Sequence, residues 1–566
     1  MRAERKRIEL ASFLVIFAIA IFIRFLNLGK LPFGDVEAAT ALQALRLSQG
    51  SALQPAGNVL LTNLMAAWMF LFGNEAWGAR FFSALAGSLL VMLPFIFKKH
   101  FNQRVLIVIS FWLAIDPGFV AMSRQINSTG LAILLSGLAY LAFLEQKSIW
   151  LGILSGLLLL SGSSFWFGLI PIALAFAITY LRKSTGGAAR IEPVRVFDWL
   201  NRPTFVIAFL LTLVLAGTFG FIFLSQFNGI ISAILSLFSQ PSIENQLSFR
   251  SIIRMLLLYQ FPLLFFGLTG LFTIRKQSAT LFQFLVFWLF FVVIALLLVP
   301  AKAIPYVLWL ELPLVIAAAS FLVRGFNIAE EDLHSIALIG GIGIAVFGFL
   351  ILISNNLFTG IINTSQSPVS KEFLIIAGIV MVLIAIFLIG WSLSWRVAGK
   401  SLLIVAVFYS LLFTVSAAWN ASGLRLPYQN EMWTLSQIPK DSDLLIKTIS
   451  EYSLWNHGNA FAAEILVVSF DSPSLEWELR DFNNVNFVNH FSSASNPELI
   501  ITPANQQIEM LQSYRGEGFS YFSGPNWTVL IPSEWRKWVL TRQIPANMVD
   551  RTDIILWVRN DLFPGT

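Results

Sequence analysis

The sequence predicts a mostly α-helical protein that crosses a membrane many times and ends in a smaller α/β domain. Of its 566 residues, 57% are hydrophobic and only 12% are charged. Soluble domains carry about 25% charged residues, so this composition is typical of a polytopic membrane protein. A third observation is that charge, Asn, Ser and Pro increase after about Gly423. We therefore predict a transmembrane domain at 1–423 and a soluble α/β domain at 424–566. Within the second domain, the pattern predicts helices at 443–455 and 505–514 and strands at 464–470, 497–502, 527–532 and 553–559.

The transmembrane domain contains about 13 apolar segments, each close to the roughly 20 helical residues that a bilayer core requires. The first follows a basic start, MRAERKRIEL. It is too long for a signal peptide and lacks a small-residue cleavage site, so it is expected to remain as a transmembrane helix. The predicted spans are 9–28, 78–97, 104–121, 127–144, 149–164, 166–181, 203–224, 251–274, 279–299, 303–323, 334–354, 372–394 and 400–419.

The short apolar segment 58–73 decides the predicted topology, because counting it as a span would invert every later loop. Cytoplasmic loops of membrane proteins are rich in Lys and Arg. If 58–73 lies in the membrane interface, the basic loops fall on the side of the N-terminus. We therefore predict a multi-pass protein of the cell membrane, with a cytoplasmic N-terminus and an extracytoplasmic C-terminal domain. The basic positions are Lys98, Lys99, Arg104, Lys147, the loop 182–202, Arg275, Lys276, Arg324, Arg396 and Lys400.

The stretch 29–50, GKLPFGDVEAATALQALRLSQG, holds the closely spaced acids Asp35 and Glu37. It predicts a short helix with Asp35 as N-cap, Glu37 in the first turn and Gly50 as the stop. An amphipathic helix of this kind lies on a membrane surface better than it crosses one. With 58–73, it makes two predicted interfacial helices, and it would hold two carboxylates at the water–lipid boundary. Its buried side is expected to consist of Val36, Ala39 and Leu42.

Basic residues are predicted at the same external face as these acids. A carboxylate there could deprotonate an acceptor hydroxyl, and cations could stabilise a departing phosphate. A sugar carried on a polyprenyl phosphate would be such a donor, with its tail in the bilayer. Simpler roles stay open, with Asp35 as a helix cap and the arginines as interface anchors. The basic candidates are Arg80, Arg124, Arg250, Arg254 and Lys302, the last in a short turn between Pro300 and Pro305.

No cofactor and no nucleic-acid partner are predicted. The chain has no cysteine, and its four histidines are scattered along the sequence. Thiolate metal sites and disulfides are therefore excluded, and no ligand cluster exists beyond the two acids. A divalent metal is compatible with those acids but is not indicated.

Several short motifs stand in a particular order along the chain. They are Arg24, Leu28 to Pro32, Asp35-Val36-Glu37-Ala38, Leu71-Phe72-Gly73, Arg80 to Gly87, Pro117 to Arg124, and Lys302 with Pro305 and Tyr306. This order resembles the GT-C superfamily of membrane glycosyltransferases, in its branch similar to protein O-mannosyltransferases. The C-terminal segments WELRDF (477–482) and LWVR (556–559) also look like elements of a predicted mannosyltransferase subfamily of bacteria and archaea.

The resemblance implies a GT-C-like fold and an inverting enzyme that moves a mannose-like hexose from a polyprenyl-phosphate donor. The acceptor would be a protein, lipid or glycan on the external membrane face. Asp35 or Glu37 would be catalytic. Together with the charge placement, the resemblance implies substrate contacts from Arg80, Arg124, Arg254, Lys302 and Tyr306.

One departure from the family pattern leaves other functions open. The adjacent acids of the family are split here, so that Val36 takes the position of the usual base. A non-catalytic homologue that binds a lipid-linked sugar therefore remains an alternative. A lipid or glycan transporter is a further alternative, although few ionisable residues lie within the predicted spans.

Overall fold

A computed structural model of the protein shows a bundle of α-helices followed by a small mixed sheet. It describes residues 2–51, 57–185, 202–239, 248–327, 330–359, 371–425, 431–492, 496–506, 509, 511–527, 529–542 and 544–562. The first helices are α1 (Arg2–Phe25), α2 (Asp35–Ser48), α3 (Val59–Phe72), α4 (Ala76–Ile96), α5 (Gln103–Ile115), α6 (Pro117–Ser123), α7 (Thr129–Leu144), α8 (Ser148–Leu159) and α9 (Ser163–Thr185). Those that follow in the bundle are α10 (Pro203–Gly217), α11 (Asn228–Leu235), α12 (Phe249–Tyr259), α13 (Phe261–Arg275), α14 (Ala279–Leu298), α15 (Leu308–Gly325), α16 (Glu330–Thr359), α17 (Lys371–Ser392) and α18 (Trp395–Ala421).

Seven described helices are long and apolar enough to cross a membrane, or nine spans if each bent helix pair counts as one. The bent pairs are α5 with α6, at 57°, and α12 with α13, at 89°. These nine correspond to nine of the predicted spans. The prediction of a polytopic, mostly α-helical membrane protein is therefore confirmed. The other predicted spans correspond to shorter apolar helices, namely α7, α8, α10 and α17.

Both bends lie where a buried polar residue is followed by a proline. Asp116 precedes Pro117 at the first bend, and Gln260 is followed by Phe261-Pro262 at the second. Proline supplies no backbone N–H and is well suited to begin a new helix, so the hydrogen-bond ladder is interrupted there. The predicted span 251–274 is consequently broken into the amphipathic α12 and the apolar α13.

The helices α2 and α3 are too short to cross a bilayer. Each has 14 residues, which is about 21 Å at 1.5 Å per residue, against a hydrocarbon core of about 30 Å. They pack on each other through Ala38, Ala41, Leu61 and Met65. The aromatic end of α3 is largely exposed, as expected for a helix whose tip contacts lipid. These lengths agree with two interfacial helices.

The C-terminal region forms a five-stranded sheet in the order β2-β1-β3-β5-β4. The strands β2, β1 and β3 are parallel, whereas β5 runs antiparallel to both β3 and β4. The apolar residues of β1 and β3 are buried in its core, with Ile465, Leu499 and Ile501 fully covered. Its elements are α19 (Ser442–His457), β1 (Glu464–Val468), α20 (Pro473–Glu478), β2 (Asn484–Val488), β3 (Leu499–Pro503), β4 (Tyr514–Pro525), α21 (Pro532–Thr541) and β5 (Val549–Arg559).

Sequence periodicity located some of these elements and missed others. The predicted helix 443–455 and the strands 464–470, 497–502 and 553–559 correspond to α19, β1, β3 and β5. The strand predicted at 527–532 is wrong, because Pro532 begins α21, which Glu534 stabilises by accepting a hydrogen bond from the Ile531 backbone N–H. The helix predicted at 505–514 lies partly outside the described residues, and Tyr514 begins a strand instead.

The C-terminal region packs closely against the helix bundle. Trp433 and Trp538 are buried within the main apolar core of the bundle. Trp477, at α20, is buried against α2 and α3. The two regions therefore share apolar cores at their contact, and the boundary at 423/424 stays a prediction.

The sidedness of the chain can be tested with reporter fusions after Lys99 and after Thr566. We expect a cytoplasmic signal at Lys99 and an external signal at Thr566, because the basic loops should stay inside and α3 should not cross the bilayer. The measurement is the activity of paired reporters that function only inside or only outside the cell. A cytoplasmic signal at Thr566 would contradict the topology.

Candidate functional site

The start of α2 is covered by a segment of the C-terminal region. Gly34, rather than Asp35, is the N-cap of this helix, so the predicted capping role of Asp35 is wrong. A Cβ at Gly34 would lie 2.4 Å from the Ser436 Oγ and 2.5 Å from the Gln437 carbonyl oxygen. Only glycine fits this close approach. The Val36 backbone N–H donates to the Ser436 Oγ at 3.2 Å, which fixes the helix start against the C-terminal region.

The buried face of α2 is shifted from the predicted one. Val36 is 36% exposed and Ala39 is half-buried, whereas Glu37 is only 3% exposed. The prediction that Val36 and Ala39 face inward was wrong, because it assumed that apolar side chains and not an acid form the buried face. A buried carboxylate is tolerated here since a cation meets it. The buried residues are Glu37, Ala38, Ala41, Leu42, Ala44 and Leu47.

Glu37 and Arg80 form a buried, two-point ion pair. The Arg80 Nε and Nη2 donate to the two Glu37 carboxylate oxygens at 2.9 and 2.8 Å. The Ile126 backbone N–H also donates to Glu37, at 2.9 Å. The remaining Arg80 hydrogens go to the carbonyls of Leu28, Leu31 and Pro32, at 3.1, 2.8 and 3.3 Å. All five guanidinium donors are thereby used, and the pair joins α2 and α4 to the loop that precedes α2.

Two further buried arginines bind the carbonyls at helix ends. Arg124 donates to the carbonyls of Ile23, Arg24 and Leu26 at 2.8–3.0 Å, and to the Ser422 carbonyl at 2.7 Å. Arg24 donates to the carbonyls of Leu113 and Ala114 at 2.8 and 3.1 Å. The last carbonyls of a helix have no partner within it and carry partial negative charge, so a guanidinium stabilises them.

The other predicted contact residues differ in how they are engaged. The Arg254 Nη1 donates to the Trp527 carbonyl at 3.0 Å, and its guanidinium lies 5.4 Å from the Trp535 ring centroid. The Tyr306 hydroxyl donates to the Ser163 Oγ at 2.9 Å. Lys302 is half-buried, and its ammonium has no ion pair or hydrogen bond with any residue in the described part of the chain.

Asp35 faces α20 of the C-terminal region. Its Oδ1 accepts a hydrogen bond from the Ser472 hydroxyl at 2.7 Å and another from the Ser474 backbone N–H at 3.0 Å. No described residue donates to the Asp35 Oδ2. One oxygen is therefore held in place while the other is left without a protein partner.

A chain of hydroxyl groups leads to Asp35. The Ser472 Oγ lies 2.9 Å from the Ser474 Oγ, which lies 3.2 Å from the Tyr521 hydroxyl. Because the single Ser472 proton points to Asp35, Ser474 must donate to Ser472, and Tyr521 must donate to Ser474. Burial raises the pKa of Tyr521 well above its ordinary value, and this keeps the phenol protonated as a donor.

Apolar and ionic contacts hold α20 on α2. The rings of Phe33 and Trp477 pack with their centroids 5.1 Å apart. Arg46, in the last turn of α2, forms an ion pair with Glu476 of α20. The Asp35 carboxylate is thus part of an interface between the surface helix and the C-terminal region.

Two buried polar groups near the bends bring together residues that the sequence did not predict to meet. Glu311 and Asp116 are fully buried with Gln260, whose Nε2 donates to the Asp116 Oδ1 at 3.0 Å. Asp116 also caps α6 by accepting from the Phe119 N–H at 3.0 Å. The available signal was an acid, Glu311, inside a predicted span, where ionisable residues are rare.

The second group is centred on Glu431. Tyr259 donates a hydrogen bond to its carboxylate, and the Arg542 Nη1 lies 3.3 Å from it. Burial raises the pKa of Glu431, and the charge of Arg542 opposes that shift. This contact ties the segment after α18 to the end of α21. Among the described residues, no three His, Cys, Asp or Glu side chains are grouped so that they could hold a metal ion.

Two solved structures share this arrangement of helices and C-terminal domain. ArnT from Cupriavidus metallidurans bound to undecaprenyl phosphate matches over 100% of both chains, with a TM-score of 0.55 and 12% identity. ArnT from the same organism in the apo state matches with a TM-score of 0.53. The chain has the GT-C fold. The archaeal oligosaccharyltransferase AglB from Archaeoglobus fulgidus matches 88% of this chain and 70% of its own, with 14% identity and a TM-score of 0.46.

The motif order therefore identified the GT-C fold correctly. No family model matches the chain, and no curated protein matches it by sequence. At 12% identity the ArnT likeness shows the GT-C fold alone. The mannosyltransferase subfamily stays a hypothesis.

The two ion pairs of α2 allow a matched test of what stabilises the position of this helix. The side chains of Glu37 and Arg80 are 4% and 3% exposed, whereas those of Glu476 and Arg46 are 38% and 44% exposed. We expect Glu37→Gln to cost about 3 to 5 kcal/mol, because it leaves a buried guanidinium without its counter-charge. Glu476→Gln should cost at most about 1 kcal/mol.

The measurement is the thermal unfolding midpoint of the detergent-solubilised protein, followed by tryptophan fluorescence. Equal shifts for the two variants would show that the Glu37–Arg80 pair is not the stabilising contact described here.

Proposed function

We propose that the chain is a glycosyltransferase that moves a hexose from a polyprenyl-phosphate donor to an acceptor hydroxyl at the face of the membrane that carries Asp35. The observation that carries this proposal is the Asp35 carboxylate, with one oxygen fixed by two donors and the other unpartnered among the described residues. The ArnT structure that matches over the whole chain contains undecaprenyl phosphate, which supports a donor of this class. A mannose-like sugar and an extracytoplasmic acceptor belong to the same proposal.

In this mechanism Asp35 is the general base. Its Oδ2 takes the proton of the acceptor hydroxyl while the acceptor oxygen forms a bond to the anomeric carbon of the sugar. The bond from that carbon to the phosphate oxygen breaks, and the phosphate leaves with the electron pair. Direct displacement from the opposite side inverts the anomeric configuration. Glu37 is less suited to this step, because both of its oxygens already accept hydrogen bonds.

Lys302 is the proposed cation for the departing phosphate. Its ammonium is uncommitted within the described part of the chain, whereas the Arg80 donors are saturated by Glu37 and backbone carbonyls. A positive charge near the leaving oxygen stabilises the charge that develops in the transition state. In this proposal Arg80, Arg124 and Arg254 position the surrounding segments, and Tyr306 fixes the turn that contains Lys302.

A series of contacts supports placing Lys302 and Asp35 on one face of the membrane. The Tyr306 hydroxyl reaches Ser163, which follows Gly162. A Cβ at Gly162 would touch the Asn58 side chain, and that side chain accepts from Ser128 at 3.2 Å. The backbone N–H of Ile126, two residues before Ser128, donates a hydrogen bond to Glu37 on α2. The turn that contains Lys302 is therefore connected to α2 by a series of residue contacts.

A non-catalytic homologue is the second candidate, and one observation favours it. Val36, at the position that the family motif gives to the base, is 36% exposed on the outward side of α2. Valine cannot accept a proton. If Asp35 serves only to bind α20, the chain would bind a lipid-linked sugar without transferring it.

The variant Asp35→Asn separates these candidates. Asparagine can still accept both hydrogen bonds through its Oδ1, but it cannot act as a base. We expect a folded protein whose transfer rate falls by about 10² to 10⁴. The measurement is transfer of labelled hexose from a polyprenyl-phosphate donor by the purified protein, with Glu476→Gln as the control at the same interface.

Transfer by Asp35→Asn at the wild-type rate would make Asp35 a structural residue. Absence of transfer by the wild type, combined with saturable binding of the donor lipid, would establish the non-catalytic homologue.

The hydroxyl chain predicts a smaller effect at Ser472. Ser472→Ala removes one donor to Asp35, and a hydrogen bond to a charged group contributes about 1.5 to 3 kcal/mol. We expect kcat to fall by about tenfold or more, with little change in KM for the donor, and Ser472→Thr to restore the rate because it keeps the hydroxyl. If Ser472→Thr is as slow as Ser472→Ala, orientation by the hydroxyl is not the cause.

A further inference from the structure

A groove of about 360 Å³ lies between α5, α15 and α18. It opens at the end of the bundle opposite to Asp35 and extends along α5 toward the bend at Asp116. Arg104 lies at the beginning of α5, whereas Ile126, just beyond α6, bonds Glu37 beside Asp35. The helix α15 likewise begins next to the buried Glu311 near the bends and ends at Gly325 beside the groove.

The helix α18, which forms one side of this groove, is held by contacts at both of its ends. Near its start, the Lys400 Nζ donates to the Asn327 carbonyl at 2.6 Å, and Leu403 lies against Gly325. Near its other end, the Ser422 carbonyl accepts from Arg124. These contacts fix both ends of α18, which forms one side of the groove.

The groove has the depth of one bilayer leaflet. Its lining on α5 runs from Arg104 to Ile115. The eleven helical steps from Arg104 to Ile115 rise about 16 Å, and half of a hydrocarbon core of about 30 Å is about 15 Å. One acyl chain of a phospholipid therefore matches the groove in length, whereas a polyprenyl tail is far longer.

The polar end of the groove is positively charged. Arg104 is exposed at its mouth, and every other residue that lines it is uncharged. The other two helices of the groove also carry bases at this end of the bundle, Arg324 on α15 and Lys400 on α18. A phosphate headgroup placed at Arg104 would be attracted by these charges.

We propose that this groove binds an anionic phospholipid of the leaflet opposite to Asp35. The phosphate lies at Arg104, and one acyl chain fills the space between α5, α15 and α18. The length of the groove argues against a polyprenyl tail as the occupant, and in the proposed transfer the donor phosphate must in addition reach the face that carries Asp35. This lipid site is independent of whether the chain transfers sugar.

The test is native mass spectrometry of the full-length protein in detergent, titrated with phosphatidylglycerol or with phosphatidylcholine of the same acyl chains. We expect the first phosphatidylglycerol to bind about fivefold more tightly, as one base near an anionic headgroup provides. Arg104→Gln should remove that preference. Lys276→Gln, which removes a charge at the same end of the bundle but outside the groove, should keep it.

A variant that fills the groove tests the position of the acyl chain. Val407→Phe should weaken the first binding event for both lipids, with Ser410→Leu as a second filling variant should Val407→Phe fail to fold. Equal affinity of the wild type for the two lipids would overturn the proposal. So would an equal loss of the phosphatidylglycerol preference in Arg104→Gln and Lys276→Gln. Displacement of phosphatidylglycerol by equimolar polyprenyl phosphate would overturn it as well, and would assign the groove to a polyprenyl tail.

Discussion

The arrangement of the whole site depends on the buried ion pair between Glu37 and Arg80. Two charges can be removed from water only when they are paired and their remaining donors and acceptors are satisfied. Here the pairing is complete, because every guanidinium donor and both carboxylate oxygens have partners. The pair thereby fixes how far α2 is rotated about its axis. With Glu37 inward, Asp35 lies about 200° away around the helix and must face outward.

Buried arginines are used throughout this face to bind backbone carbonyls. Arg24 binds the end of α5, and Arg124 binds the end of α1 and the segment after α18. Arginine suits this purpose because its planar group offers five donors in a fixed geometry and stays charged when buried. The same residues would suit a phosphate equally well, so the motifs could not distinguish binding of a substrate phosphate from binding of backbone carbonyls. Only the partners, which are backbone groups distant in sequence, distinguish them.

Sequence reasoning was strongest where local periodicity determines structure, and weakest where distant segments meet. The apolar segments, the two short surface helices and the GT-C fold follow from length, hydropathy and motif order. The N-cap of α2 was misassigned because Gly34 is selected by Ser436 and Gln437, about 400 residues away. Its buried face was misassigned because Glu37 is neutralised by Arg80. The contact of Asp35 with Ser472 joins residues 437 positions apart and has no local signal.

The contact between α20 and α2 makes the geometry of Asp35 depend on the position of the C-terminal region. Besides the hydrogen bonds to Asp35 itself, two interactions hold α20 on α2. The Arg46–Glu476 pair is exposed, and exposed pairs contribute at most about 1 kcal/mol and weaken with salt. Trp477 is buried against Phe33 and the α2–α3 core, and burial of a large aromatic ring contributes more and is not screened by salt. The position of α20 is therefore set mainly by apolar packing, and the ion pair makes a smaller contribution. In this arrangement the Tyr521–Ser474–Ser472 hydroxyls approach Asp35 as one rigid unit, so any displacement of α20 would remove all of its donors together.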